Sequence, residues 1–254
     1  MKWQILVCLC TILIRASGKS IKIIGGQNAD IAEFPFMVAF RYASNNKIFC
    51  GGTIVSRWNI LTAAHCLFDE RLPYDHINIY TGITCTISTS GLIHEVNRVD
   101  FHPLFTNKKN KQEMYIYDIA VVTIKERFEF NRYQNKAMLP ENNLEYDAGI
   151  IVGWGMTNYP LGCISNQLQQ ATMQISHNDY CSQWFPFKLH PEQFCAYQGV
   201  GIGACKGDSG GPLIVQNKII GIISFTRPCA TGFPDVLTRV YSVLDFIKLV
   251  LITT

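Results

Sequence analysis

The chain of 254 residues is long enough for one large domain or two small barrels sharing a core. With 48% hydrophobic and 16% charged residues it is neither disordered nor fibrous in composition, and a formal charge of +3 creates no global demand for nucleic acid or a membrane surface as partner. Ten cysteines are many for a reducing compartment and ordinary for an exported chain.

The chain opens with Lys2, then a mostly apolar run from Trp3 to Ile14, then the small residues Ala16-Ser17-Gly18. This is the form of an export signal over residues 1–18 and predicts a secreted, extracellular protein. The run is shorter than the roughly 20 residues of a membrane-spanning helix, and Arg15 interrupts it. No later stretch is apolar enough to span a bilayer. Cys8 and Cys10 leave with the signal, so eight cysteines remain.

From residue 23 to about residue 240 the chain reads as many short strands. FMVAFRY, INIYTGI, IAVVTI, GIIVGW, PLIVQ and IIGIISF are rich in β-branched and aromatic residues, with turns at Ser44-Asn45-Asn46 and Gln216-Asn217-Lys218 between some of them. The pattern argues for antiparallel barrels or a sandwich rather than βαβ units. Ser176 is placed to cap a short helix ended by Pro186, and Tyr241 to Ile252 carries Leu244, Ile247, Val250 and Leu251 at helical spacing.

Four segments carry chemistry: Ile23-Ile24-Gly25-Gly26 directly after Lys22, Thr62-Ala63-Ala64-His65-Cys66, Asp118-Ile119-Ala120-Val121, and Gly207-Asp208-Ser209-Gly210-Gly211-Pro212. A serine hydroxyl attacks only when a base takes its proton, and histidine is the base suited to neutral pH. A buried carboxylate on the other imidazole nitrogen fixes the tautomer, and backbone N–H groups of a glycine-rich turn can stabilise an oxyanion. Each segment alone has a bland reading, as a structural histidine, a strand start or a tight turn. Their occurrence together in the order His, Asp, Ser does not.

These segments resemble those of the chymotrypsin-fold (trypsin-like) serine proteases over essentially all of residues 23–254, including Gly153-Trp154-Gly155. The resemblance implies an all-β fold of two antiparallel six-stranded Greek-key barrels, over residues 23–137 and 138–254, with a C-terminal helix and the site between the barrels. It implies His65 as general base, Asp118 as its orienting carboxylate, Ser209 as nucleophile, and the N–H groups of Gly207 and Ser209 as oxyanion donors. It also implies a propeptide at residues 19–22, cut after Lys22 by a trypsin-like protease, so that the new amine of Ile23 pairs with Asp208 and completes the site. Expected partners are protein or peptide substrates and protein inhibitors, with a monomeric enzyme and no cofactor.

Sequence alone leaves over a hundred pairings open for eight cysteines. The resemblance implies Cys50–Cys66, Cys181–Cys195 and Cys205–Cys229, and leaves Cys85 and Cys163 in two neighbouring loops, where a fourth bridge is expected and two free thiols are the alternative. No metal is expected: Ile83 to Leu92 contains no acidic residue where some relatives bind calcium, and no histidine pair has ligand spacing. The loop holding Asn107-Lys108-Lys109-Asn110-Lys111 is about five residues longer than in ordinary trypsins.

The specificity pocket departs from trypsin. Gly203 and Ala204 stand on the floor where trypsins place an aspartate, and Asp235 stands on the facing wall, as in crustacean collagenolytic serine proteases. Thr226 replaces a glycine at the mouth, Phe225 the usual tryptophan, and Ser224 to Thr226 offer backbone groups to an extended substrate. The expectation is a digestive endopeptidase preferring Arg or Lys with broadened specificity; the alternatives are a factor with one protein target, or a protease-like binding protein without catalysis.

Overall fold

A computed structural model describes residues 23–254 except 71, 89 and 110–113. The expected signal (1–18) and propeptide (19–22) lie outside the described residues. Strands β2 (Met37–Tyr42), β3 (Ile48–Ile54), β4 (Asn59–Thr62), β5 (Ile77–Thr81), β6 (Leu92–Phe101) and β7 (Ala120–Ile124) close into an antiparallel barrel in the order β2-β3-β4-β7-β6-β5. A second barrel forms from β8 (Ala148–Gly153), β9 (Gln169–Ser176), β10 (Gln193–Tyr197), β11 (Pro212–Val215), β12 (Lys218–Phe225) and β13 (Asp235–Arg239), closed by β8 pairing with β9. The two closed six-stranded barrels agree with the sequence expectation.

Each apolar run named from the sequence lies on a strand, because both faces are buried: β4 and β7 have no exposed residue. The β11–β12 connection is a two-residue hairpin with Gln216 and Asn217 at φ 49° and 63°, the paired left-handed conformations a tight hairpin needs. Two ends cross over. Strand β1 (Gln27–Asn28) pairs with β9 of the second barrel, whereas helix α2 (Leu244–Ile252) joins the core of the first through Leu244, Ile247 and Val250. The 3-10 turn Val240–Val243 takes up Tyr241 to Val243, expected in that helix. The short helix α1 (Asn178–Ser182) starts at His177 without a side-chain cap, because Ser176 is the last residue of β9.

The barrels meet where two glycines remove side chains. A Cβ on Gly51 of β3 would lie 3.2 Å from the Cα of Gly211, and Gly51 N–H donates to Ser209 O at 2.8 Å. This contact sets the serine turn of the second barrel against the wall of the first.

Candidate active site

His65 sits on a 3-10 turn (Ala64–Cys66) directly after β4, pinned by the Cys50–Cys66 disulfide to β3. Asp118 lies just before β7 and is fully buried. Its Oδ1 accepts the His65 backbone N–H at 2.9 Å, and its Oδ2 meets His65 Nδ1 at 2.7 Å. Ser224 Oγ donates to the same Oδ2 at 2.5 Å, and Thr238 Oγ1 donates to the Asp118 carbonyl at 2.9 Å. A carboxylate held this way keeps the imidazole proton on Nδ1 and leaves Nε2 able to accept one.

Ser209 is half-buried on the turn from Gly207 to Gly211. Gly207 and Gly210 have φ of +97° and +79°, and a Cβ on Gly210 would lie 2.2 Å from Thr62 Oγ1. Only glycine fits there, and the turn is wedged against the β4 end that leads to His65. Among the described residues, the N–H groups of Gly207 and Ser209 donate to no protein acceptor, and Ser209 Oγ has no hydrogen-bond partner. Catalytic hydrogen bonds are commonly long before substrate binds.

Asp208 is fully buried beneath the turn. Its two oxygens accept from Gly155 N–H at 2.7 Å and Cys205 N–H at 3.0 Å. A Cβ on Gly153 or Gly155 would collide with this carboxyl at 2.2 Å, which is the reason for the glycines of the Gly-Trp-Gly segment. Burial pushes the Asp208 carboxyl up to about 7 despite the two amides. Ile23 is also fully buried, packed with Ile151, Ala204, Leu213 and Ile223, and Ile24 bridges Gly203 through a 3.1 Å hydrogen bond.

Asp235, at the start of β13, is 2% exposed. Its Oδ2 accepts from Ala204 N–H at 2.7 Å, while Oδ1 has no partner. A Cβ on Gly203 would lie 3.0 Å from that Oδ2, so the wall carboxylate already fills the space above the floor. Burial raises the Asp235 carboxyl to about 7, opposed by the Ala204 amide and by the Thr226 hydroxyl, which lies near the carboxyl but makes no well-formed hydrogen bond to it, and reinforced by Asp208. Phe225 is buried in an aromatic group with Phe185, Phe187 and Tyr115.

Two features were not read from the sequence. The Tyr115 ring stacks on His65 with centroids 4.8 Å apart, and Lys109 Nζ lies 5.0 Å over the Tyr115 ring. Ser224, expected to serve substrate through its backbone, commits its hydroxyl to Asp118. No spacing rule marks Tyr115, since its conformation depends on contacts from the other barrel. Three disulfides form as the resemblance implied, Cys50–Cys66, Cys181–Cys195 and Cys205–Cys229. The expected Cys85–Cys163 bridge is corrected: both thiols are free. Cys85 pairs its backbone with Gln167, which sets Cys163 back along an exposed loop. Cys50, His65 and Cys66 form a compact group of metal-ligand types, but the two sulfurs are spent on a disulfide.

Residues 23–247 match the family model described as Trypsin. The chain belongs to the trypsin family. It is 35% identical to Chymotrypsin-2 of Vespa crabro, over 89% of this chain and 98% of that one. It is 32% identical to a trypsin of Saccharopolyspora erythraea, over 88% of this chain and 95% of that one. Among solved structures, neuropsin, a serine protease expressed in mouse brain, superposes with a TM-score of 0.80 at 24% identity, covering 89% of this chain and 98% of that one. As a trypsin-family member it is a serine endopeptidase, a hydrolase whose substrates are proteins.

Proposed function

We propose that this trypsin-family chain is a secreted zymogen that hydrolyses peptide bonds through an acyl-enzyme on Ser209. The observation that carries the reading is the His65–Asp118 pair, with Nδ1 on the carboxylate and Nε2 meeting only the Cys66 sulfur at 3.9 Å, beside a glycine turn with two undonated N–H groups. Ser209 attacks the substrate carbonyl while His65 Nε2 takes its proton. The N–H groups of Gly207 and Ser209 receive the oxyanion. His65 then protonates the departing amine, and water releases the acyl group by the reverse path.

Activation by cleavage after Lys22 is supported by two features. Asp208 is a buried carboxyl whose ionisation is suppressed, so a cation brought beside it gains much. Ile23, a β-branched residue, has φ +29° in the continuous chain, a crowded conformation that depends on the preceding carbonyl and vanishes when that bond is cut. The freed Ile23 amine pairs with Asp208 and orders the Gly207–Ser209 turn. The export-type start of the chain supports secretion, and among the described residues no helix is long and apolar enough to cross a membrane.

Primary specificity is assigned to Asp235. Its unpartnered Oδ1 is an acceptor for a Lys or Arg head group, and Gly203 and Ala204 bring no second charge to the floor, which leaves uncharged side chains less strongly rejected than in a trypsin. A basic preference weaker than that of a trypsin follows. The inclusive test takes the Lys22-cleaved protein, labels it with a serine-directed phosphonate and profiles it against a peptide library. Label on Ser209 and cleavage after Arg and Lys are expected; Lys22→Gln blocks both when a trypsin-like activator is added. Full activity of the uncut Lys22→Gln chain rejects the switch, and an unlabelled Ser209 in an active cleaved enzyme rejects the nucleophile.

A further inference from the structure

The segment Met114–Asp118 that delivers the catalytic aspartate is unusual in its backbone. Tyr115 and Tyr117 both have positive φ, 50° and 53°, in a stretch of large non-glycine residues. Such conformations are costly for aromatic residues and persist only where surroundings over-determine them. The segment belongs to the first barrel by sequence, and there Tyr115 N–H bonds Lys108 O while Ile116 O and Tyr117 O accept from Thr106 and Ile119; its remaining bonded groups, Met114 O, Tyr115 O, Tyr117 N–H and Asp118 O, are held from the second.

Gln193, 2% exposed at the start of β10, donates from Nε2 to Met114 O at 2.9 Å and to Tyr115 O at 3.3 Å. Glu192, also 2% exposed, accepts the Tyr117 N–H on Oε1 at 2.7 Å. Thr238, the cross-strand partner of Gln193 on β13, takes the Asp118 carbonyl. The two clamp residues are themselves fixed. Glu192 Oε2 is paired with His190 Nδ1, Glu192 O accepts the Arg239 N–H at 2.6 Å, and Gln193 Oε1 accepts the His190 N–H at 3.0 Å. The Tyr117 ring is held between His102, stacked at 4.4 Å, and His190 at 5.2 Å.

We propose that Glu192 and Gln193 are positioning residues of the catalytic site: a carboxylate–amide clamp from the second barrel that holds Met114–Tyr117 and thereby sets both Asp118 against His65 and Tyr115 over the His65 ring. An acceptor at Tyr117 N and a donor at Met114 and Tyr115 O are opposite demands, and adjacent Glu and Gln meet them with one side chain each. A carboxylate makes the stronger bond to an N–H, so the charge sits where the segment runs into Asp118. His190 lies against the other carboxylate oxygen and offsets its charge when the imidazole is protonated. The clamp acts on geometry alone and touches neither substrate nor reacting atoms.

The inference rests on the assignment of His65 and Asp118, and its test is separable from it. In the full-length, Lys22-cleaved protein, Glu192→Leu removes the acceptor, Glu192→Gln keeps an oxygen for Tyr117 N–H, and Gln193→Leu removes the donors. The expected result for Glu192→Leu is at least about tenfold faster exchange of the Tyr117 amide and a weakened, less deshielded His65 Nδ1–H proton signal. Its kcat falls about tenfold or more on a small ester substrate, with a smaller change in KM. Glu192→Gln restores all three to near the parent values, and Gln193→Leu shifts the Tyr115 and Tyr117 amides in the same direction. A purely structural role lowers the melting temperature of Glu192→Leu but leaves the His65 proton signal and kcat unchanged, and that outcome overturns the proposal. If Glu192→Leu does not fold, Gln193→Leu with unchanged amide exchange and kcat overturns it equally. A parent enzyme unreactive to a serine-directed phosphonate rejects the triad assignment instead, while the Tyr117 exchange still judges the clamp.

Discussion

Asp118 and Asp235 are both almost wholly buried, and the fold treats them in opposite ways. Asp118 has its carboxylate engaged by the His65 amide, the His65 ring and the Ser224 hydroxyl, and its carbonyl is held by Thr238. Asp235 has one amide, from Ala204, and an oxygen with no partner. A buried carboxylate with its acceptor sites filled is fixed in place and tuned for one geometry. One left half-satisfied holds unspent interaction energy that a ligand can collect. On the proposed function, the difference separates a group assigned to orient catalysis from a group assigned to select what is cut.

Removing the machinery on the catalytic side gives the largest effects. Ser209→Ala loses on the order of 10⁶ in kcat, leaving only what the oxyanion donors and binding contribute. Asp118→Asn loses on the order of 10⁴, because an amide turned to donate favours the wrong imidazole tautomer. Steady-state kinetics on a purified, contaminant-free preparation measure both. An Asp118→Asn enzyme within tenfold of the parent breaks the claim that the filled carboxylate is the orienting one.

On the pocket side the effect is smaller and specific to substrate. Asp235→Gly lowers kcat/KM for Arg and Lys substrates by roughly 10–100-fold and leaves Leu substrates nearly unchanged. The parent carries a pH signature as well. With the empty-pocket carboxyl at about 7, lowering the pH below 7 protonates Asp235 before a cation can pair with it. The Arg-to-Leu ratio of kcat/KM therefore drops by about tenfold per unit below pH 7, while any pH effect on the catalytic steps is common to both substrates and cancels. A ratio independent of pH and of the Asp235 substitution removes this residue from specificity.

Much of this was legible in the residue string. Strands β2, β5, β7, β8, β11 and β12 show as apolar runs since they are buried on both faces, and the segments bearing His65, Asp118 and Ser209 read as chemistry through their order. Strand β6, Leu-Ile-His-Glu-Val-Asn-Arg-Val-Asp-Phe, does not show, because Glu95, Asn97 and Arg98 interrupt the apolar run at exposed positions and its pairing is decided by neighbours rather than by propensity. Strand β9 is hidden differently, by uncharged polar residues, with Gln169 buried and Thr172 and Gln174 exposed. The contacts that fix Asp118 were invisible in kind. Ser224, Glu192, Gln193 and Thr238 lie 75 to 120 residues away from their partners on Met114–Asp118, in ordinary-looking strand ends, and only the packing of one barrel on the other reveals them. Tyr115 and Tyr117 carry no sequence mark of positive φ, which glycine or asparagine normally advertises.

The unspent energy of Asp235 also has a thermodynamic reading that does not involve substrate. Its folded carboxyl titrates near 7 against 3.8 in a free chain, so between about pH 4 and 7 the native state keeps a proton that the unfolded chain has released. Its contribution to stability therefore falls as pH rises through that window and stays low above it. Asp235→Asn removes the cost, and stabilises the protein at pH 8 by an amount on the order of a few kcal/mol but by little near pH 4. Urea titrations at the two pH values measure the difference. Equal effects at both break the comparison, since they leave Asp235 as well satisfied as Asp118.

The smallest effect belongs to the two remaining thiols. Cys85 and Cys163 sit in adjoining loops, with Thr86 N–H donating to Asn166 O at 2.8 Å and Cys85 bridged to Gln167. That pairing already ties the loops together through backbone hydrogen bonds, so the thiols have little left to hold. The double substitution Cys85→Ser and Cys163→Ser changes stability by less than about 1 kcal/mol, the range of surface changes that break no buried network. Alkylation of the native protein modifies Cys163 first, because it is exposed, and the half-buried Cys85 more slowly. Non-reducing peptide mapping that instead finds the two in one linked fragment restores the fourth disulfide, and with it a stabilisation of about 2–4 kcal/mol that the double substitution would then lose.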